Sequence, residues 1–240
     1  MKRYKALIAY DGTQYGGWQV QPNAVTIQAV IQEVLSTILQ TPTHLTASGR
    51  TDAGVHALGQ VAHFLSHKEV TAHALNSLLP PDIRILSLEE VDPSFHARFS
   101  ARNKEYHYHL HTDSLISPFI RPYRTYHPYS LDLNLIEEAI PLFHGTHNFT
   151  SFANCGGSKA SPIKTIYRLD MIRQEGGVRF EFEGSGFLYK MVRNIVGTLL
   201  EVGAKKRLLS SIPPLFSLQD RREGGKAAPP TGLFLIKVNY

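Results

Sequence analysis

The hydrophobic period of this chain switches from two to 3.6 and back in a repeating order, which limits the fold more than any single residue does. From Tyr4 to Asp11 apolar and polar residues alternate as in a half-buried strand, which stops at the turn pair Asp11-Gly12. The polar, glycine-bearing loop GTQYGGWQVQP follows. From Thr26 the period lengthens: Ile27, Val30, Ile31, Val34, Leu35, Ile38 and Leu39 form one helical stripe. Thr26 is placed to cap that helix, and Pro42 lies just past its end. Residues 43 to 47 read as a short strand, QVAHFLS as a second, and IRILSLEEV as a third. A helix runs from about Thr71 to just before Pro80-Pro81. The order is β-α-β-β-α-β.

The second half repeats that order without obvious sequence identity. EYHYHLH is a strand, and residues 132 to 143 are a helix weakened near its end by Pro141. IKTIYRLDMIRQ and VRFEFEG form a hairpin across Glu175-Gly176-Gly177, and LFLIKVNY is a last strand. Residues 187 to 201 form the strongest C-terminal helix, with Phe187, Leu188, Met191, Val192, Ile195, Val196, Leu199 and Leu200 on one side. The expected fold is α+β: two ferredoxin-like (βαββαβ) units forming a mixed, mainly antiparallel sheet flanked by helices, with a central cleft. The expected domains are residues 1–100 and 101–240. The polar, Gly/Pro-rich segment 217–231 reads as a surface loop.

Composition narrows the function classes. A chain of 240 residues, 42% hydrophobic and 19% charged, is globular rather than disordered. No apolar run approaches the roughly 20 residues a membrane helix needs, and the basic start MKRYKALIAYDG alternates like a strand rather than a signal peptide. The single cysteine, Cys155, excludes an internal disulfide and a cysteine-based zinc site, and fits a reducing cytoplasm. A net charge of +5 and a pI near 9.3 favour an anionic partner such as nucleic acid.

Three stretches carry candidate chemistry. In SGRTDAGVHALGQ, Asp52 sits between two glycines and beside Arg50, with strands on both sides; it is either turn punctuation or a reactive carboxylate. On the helix at 187–201 the apolar stripe leaves Tyr189, Lys190, Arg193 and Asn194 on the other side. That side is either a solvated face or the place where the Arg193 cation meets Asp52 across the cleft. In YHYHLH, His107, His109 and His111 point one way, while Tyr106, Tyr108 and Leu110 point the other. Alternating histidines suit zinc, but Glu105 and Asp113 complete no ligand pattern; a wet outer sheet face is the competing reading. The tyrosine face then offers a ring on which a base can stack. GGSKAS and EGGKAA lack the spacing of a phosphate-binding loop.

Five stretches, in order, resemble the motifs of the tRNA pseudouridine synthase A family: YDGTQYGGWQVQP, GRTDAGVHALGQVAHF, FHARFSARNKEYHY, FLYKMVRNIVGTLLEVG and TGLFLIKVNY. Together they span almost the whole chain. The resemblance implies a cytoplasmic isomerase that converts uridine to pseudouridine at positions 38, 39 or 40 of the tRNA anticodon stem-loop. It implies no metal and no organic cofactor, an RNA-binding cleft, and a homodimer whose two subunits are bridged by RNA. In residue terms it makes Asp52 the catalytic nucleophile, Tyr106 the ring that stacks on the target uracil, Arg193 the ionic partner of Asp52, and Arg50 the group that displaces the base. Lys164, where the family often has arginine, and the KAAPPTGL run depart from its pattern without touching that set.

The chemistry suits one carboxylate. The bond from ribose C1′ to uracil N1 breaks, the base turns, and a bond from C1′ to C5 forms. A carboxylate can attack C1′ or stabilise positive character there, as in glycoside hydrolysis. Extracting the base from its stack costs a few kcal/mol, which calls for a stacking ring and a basic wedge. Two rivals stand beside this reading: a silent RNA-binding protein on the same scaffold, and a zinc hydrolase built on His107, His109 and His111.

Overall fold

The computed structural model describes residues 1–156 and 161–240, so most of GGSKAS lies outside the described residues. The chain is α+β, a mixed and mainly antiparallel sheet with flanking helices. It divides into two compact units, residues 1–102 with 234–240, and residues 103–233. Among the described residues no helix is long and apolar enough to cross a membrane.

The first unit contains β1 (Lys2–Tyr10), α1 (Ile27–Leu39), β2 (Thr46–Ala47), β3 (His56–Ser66), α2 (Ala72–Leu78) and β4 (Ile83–Val91). Alternation in β1 buries Tyr4, Ala6, Ile8 and Tyr10 between the antiparallel partners β3 and β4. The Thr26 hydroxyl accepts from the backbone N–H of Ala29, so α1 starts at the expected cap, and the Thr71 hydroxyl caps α2 in the same way through Ala74 N–H. Inside α1 the buried residues Ile27, Ile31, Val34, Leu35 and Leu39 follow the expected stripe. At eleven residues, β3 is long enough to take further partners along one edge: β2 pairs antiparallel at Ala62 and His63, and the last strand pairs parallel at His56 and Ala57.

The second unit contains β5 (Asn103–His111), β6 (Thr125–Tyr126), α3 (Leu133–Ala139), β7 (Gly145–Asn148), β8 (Ile163–Gln174), β9 (Gly177–Gly184), α4 (Met191–Gly203) and α5 (Ile212–Leu218). Last comes β10 (Leu233–Asn239), which from Phe234 on belongs to the first unit. The strand order is β5-β9-β8-β7, with β6 parallel to β5. The β8–β9 hairpin turns at Gly176, whose φ of +76° is left-handed backbone that glycine adopts without strain. The short elements β6, β7 and α5 exceed the expected order because strands of two or four residues carry no measurable period. The start of α5 is written in Pro213 and Pro214, which suit a first helical turn.

Two sequence expectations are corrected here. The helix expected from 187 begins at Met191, because Lys190 takes a left-handed φ of +60° and ends the preceding turn. Ten of the thirteen residues of α4 are buried, among them Asn194, so Asn194 does not lie on a solvated face. The segment 217–231 is mostly exposed or half-buried, as a surface loop is, and it also packs along α4. A Cβ at Gly197 would overlap the carbonyl oxygen of Lys226, and one at Gly225 would lie 2.6 Å from the Thr198 nitrogen.

Candidate active site

In the first unit, two sequence motifs fold into one double loop. The turn Asp52–Val55 is closed by Val55 N–H donating to the Asp52 carbonyl (3.1 Å), with Gly54 left-handed at φ +75°. Against it lies the loop 12–18. Gly12 leaves no room for a side chain beside the Val55 carbonyl, and Trp18 N–H donates to the Thr51 carbonyl (3.0 Å). Gly17, with φ +94°, lies so close to Thr51, Asp52 and Ala53 that its missing side chain is what permits the approach.

Buried polar groups hold the loop from beneath. Gln60, fully buried on β3, accepts from the Ser48 hydroxyl (2.8 Å) and donates to the Gly49 carbonyl (2.9 Å) and the Tyr10 oxygen (3.5 Å). Tyr10 in turn shares a hydrogen bond with the Thr51 hydroxyl (2.8 Å). Burial pushes the Tyr10 hydroxyl up to about 12, so it stays a neutral donor. His56, stacked on Phe234 at 4.5 Å between ring centroids, places Nδ1 3.2 Å from the Gly12 N–H and 3.1 Å from an Asp11 carboxylate oxygen. Backbone atoms of Ser48, Gly49, Thr51, Asp52 and Val55 thus meet fixed partners, while Asp52 is half-buried and Arg50 exposed.

In the second unit, β5 sorts its side chains as the alternation requires. Tyr106, Tyr108 and Leu110 are buried on one face, and His107 and His109 are half-buried on the other. Tyr106 meets Phe187 edge-to-face at 5.2 Å. Tyr108 donates to the Pro229 carbonyl (3.0 Å) and shares a hydrogen bond with Thr125 (2.7 Å); burial raises its pKa, and the Arg193 charge opposes that shift. Arg193, on α4, donates Nε to the Ala228 carbonyl (2.7 Å), and its own carbonyl accepts from Ala228 N–H (3.0 Å).

The histidines do not converge on a metal. The rings of His107 and His109 are 6.3 Å apart, and His111 turns away to the Leu115 carbonyl (2.7 Å). Ligand atoms of Glu105, His107 and Glu181 lie within 4.8 Å of one another and could hold a cation. Their oxygens, however, already pair with arginines: Glu105 with Arg168 at 3.0 Å, Glu181 with Arg168 and Arg179 at 2.5 Å each. Those arginines first have to leave before a metal can bind, so the donor set is an ion-pair network on the outer sheet face.

Arg50 and Asp52 therefore share one loop, while Tyr106 and Arg193 share the second unit. Sequence reasoning missed the supports: Gln60, Tyr10, Thr51 and the 221–229 segment. Only the polar Gln60 inside the apolar run of β3 carried a signal, since a buried amide requires partners.

A family model described as tRNA pseudouridine synthase matches residues 6–100 and 139–240. A protein named tRNA pseudouridine synthase A 1, from Protochlamydia amoebophila, is 53% identical over all of this chain and 97% of its own length. Proteins named tRNA pseudouridine synthase A from a Geobacillus species and from Acetivibrio thermocellus are 46% and 41% identical, each over the whole of this chain and 98% and 100% of their own lengths.

Proposed function

The chain belongs to the tRNA pseudouridine synthase A family and is an isomerase that pseudouridylates tRNA; on that premise we propose that Asp52 is its nucleophile. One observation carries this reading. The Asp52 loop is pinned on its protein side by Gln60, Tyr10, Thr51 and the close approach of Gly17, yet it leaves Asp52 half-exposed and Arg50 exposed. A turn that only reverses the chain needs no such support, whereas a carboxylate that must meet C1′ within a fraction of an ångström does.

In this reading Arg50 enters the RNA and displaces the target uridine, and the base stacks on the Tyr106 ring. The Asp52 carboxylate attacks C1′ and the bond to N1 breaks. The freed uracil turns within the site and presents C5, the C1′–C5 bond forms as the carboxylate leaves, the C5 proton is lost and N1 is protonated. No atom is gained or lost overall, so the reaction needs no co-reactant. Arg193 pairs with Asp52 and orients it.

The substrate site is the anticodon stem-loop at positions 38 to 40, and the working enzyme is a cytoplasmic homodimer without metal or organic cofactor. Family resemblance supports these points, as it supports the RNA-binding cleft. We read residues 1–100, with Asp52, and 101–240, with Tyr106 and Arg193, as ferredoxin-like halves. The order β4-β1-β3-β2 in the first half and β5-β9-β8 in the second supports that reading.

The test is a single-turnover assay on unmodified tRNA with chemical mapping of pseudouridine. Asp52→Asn keeps the shape and removes the nucleophile, so turnover is lost while tRNA binding persists. Pseudouridine formation by Asp52→Asn near the wild-type rate refutes the proposal.

A further inference from the structure

The polar segment 221–229 is tied by hydrogen bonds to four residues of one helix, Arg193, Asn194, Thr198 and Glu201 of α4. At its start Arg221 donates Nη2 to the Asn194 side-chain oxygen (2.7 Å), Nε to the Asn154 side-chain oxygen (3.2 Å) and Nη1 to the Gly224 carbonyl (3.1 Å). In the middle Gly225 N–H donates to the Thr198 hydroxyl (3.1 Å), and Lys226 N–H to a Glu201 carboxylate oxygen (3.1 Å). At its end Ala228 grips residue 193 twice, by accepting from the Arg193 Nε and donating to the Arg193 carbonyl. The next residue, Pro229, accepts from Tyr108, two residues from Tyr106 on the same buried face of β5.

Asn194 closes the network. It is fully buried, and it donates to the Phe152 carbonyl (2.7 Å) and the Asn154 side-chain oxygen (3.0 Å) while accepting from Arg221. An amide in such a place is costly unless its polar atoms are paired, so removing Arg221 leaves a buried acceptor open.

We infer that the 221–229 segment is a strap that aims the Arg193 guanidinium, and that Arg221 and Asn194 are positioning residues acting through Arg193. The inference rests on the role proposed for Arg193. With Nε committed to Ala228, the guanidinium plane is set by the strap, and only its terminal nitrogens are presented to a carboxylate. Gly197 and Gly225 let strap and helix approach closely enough for Ala228 to reach residue 193. Three of Arg221's five donors are engaged inside the protein, which separates it from a residue that grips RNA phosphate.

A double-mutant cycle tests this. Arg193→Ala, Arg221→Ala and the double variant are compared by single-turnover rate, KM for tRNA and melting temperature. The expected result is that Arg221→Ala lowers the rate about 10- to 100-fold, as a misplacement of a catalytic group does, with KM unchanged, and that it costs nothing further in the Arg193→Ala background. Multiplying effects, or a rise in KM alone, overturn the inference. If Arg193→Ala by itself keeps wild-type turnover, the role assigned to Arg193 is what fails, and that outcome is distinct from additivity. Should Arg221→Ala not fold, Gly225→Ala lifts the strap at Thr198 without deleting a donor, and the same criteria apply.

Discussion

Gly17→Ala is a perturbation outside the catalytic motif whose effect can be worked out from the backbone alone. The φ of +94° at Gly17 costs an L-residue about 1–2 kcal/mol. The new Cβ lies 2.7 Å from the Thr51 oxygen, 3.0 Å from the Ala53 nitrogen and 3.0 Å from the Asp52 carbonyl carbon. All three are backbone atoms, so no side chain can swing aside. Restoring an ordinary separation of about 3.4 Å moves the 51–53 backbone by roughly 0.7 Å (3.4 minus 2.7) and breaks the Trp18 N–H bond to Thr51, worth about 1 kcal/mol. The expected stability loss is about 2–3 kcal/mol. The displaced Asp52 should lower the single-turnover rate about 10- to 100-fold, since a shift near 1 Å can cost about 100-fold. Binding of tRNA, which depends on many phosphate contacts, should change little. Leu75→Ala is the control: it opens a cavity under α2 at a similar or larger cost, about 2–5 kcal/mol, without touching the loop. Rates are read below both melting transitions. If Gly17→Ala turns over like wild type, or if Leu75→Ala slows turnover as much, the rigid-loop reasoning is wrong.

Other outcomes follow from the same geometry. Tyr106→Phe keeps the ring against Phe187, so tRNA affinity should stay within about twofold; a large fall in turnover with binding intact assigns the hydroxyl a proton-transfer role. Thr26→Ala removes the hydroxyl that accepts from Ala29 N–H at the start of α1 and should cost about 1 kcal/mol by urea unfolding, with activity unchanged. Burial is the largest cause holding His63 and His109 down near 4, with neighbouring positive groups adding to it, so above pH 6.5 both are neutral folded and unfolded and contribute nothing. As pH falls from 6.5 toward 4 the unfolded chain takes up protons that the folded one refuses. Two such shifts would amount to about 6 kcal/mol by pH 4 in rings sealed from water; with both rings partly reached by solvent the drop should be roughly 1–3 kcal/mol, and paired His63→Gln and His109→Gln substitutions should flatten the slope. Activity should survive chelation by EDTA; loss of activity that zinc restores contradicts the mechanism.

Much of the fold can be read from periodicity. The Thr26 cap, the α1 stripe, the alternation of β1 and β5 and the β8–β9 hairpin all stand where local patterning places them, because each is decided within one or two turns of chain. The loop carrying Asp52 is legible as well, since glycines around a lone carboxylate mark a backbone that must approach something. Supporting contacts are not legible in that way. Asn194 reads as a wet helix face by its polarity, yet tertiary packing buries it and satisfies it with Phe152, Asn154 and Arg221, which lie 27 to 42 residues away in sequence. The strap over α4 reads as solvated because its residues are polar and small; their partners are internal, and the glycines serve close approach rather than flexibility.

Local sequence thus determined the elements and the chemistry on offer, because apolar spacing and turn residues act through neighbours on the chain. Only the tertiary structure decided which backbone carbonyls meet Gln60 and Arg193, that β10 lies parallel to the start of β3, and how the Asp52 loop is held. Those choices belong to hydrogen bonds between distant segments, whose partners exist only once the sheet has brought them together.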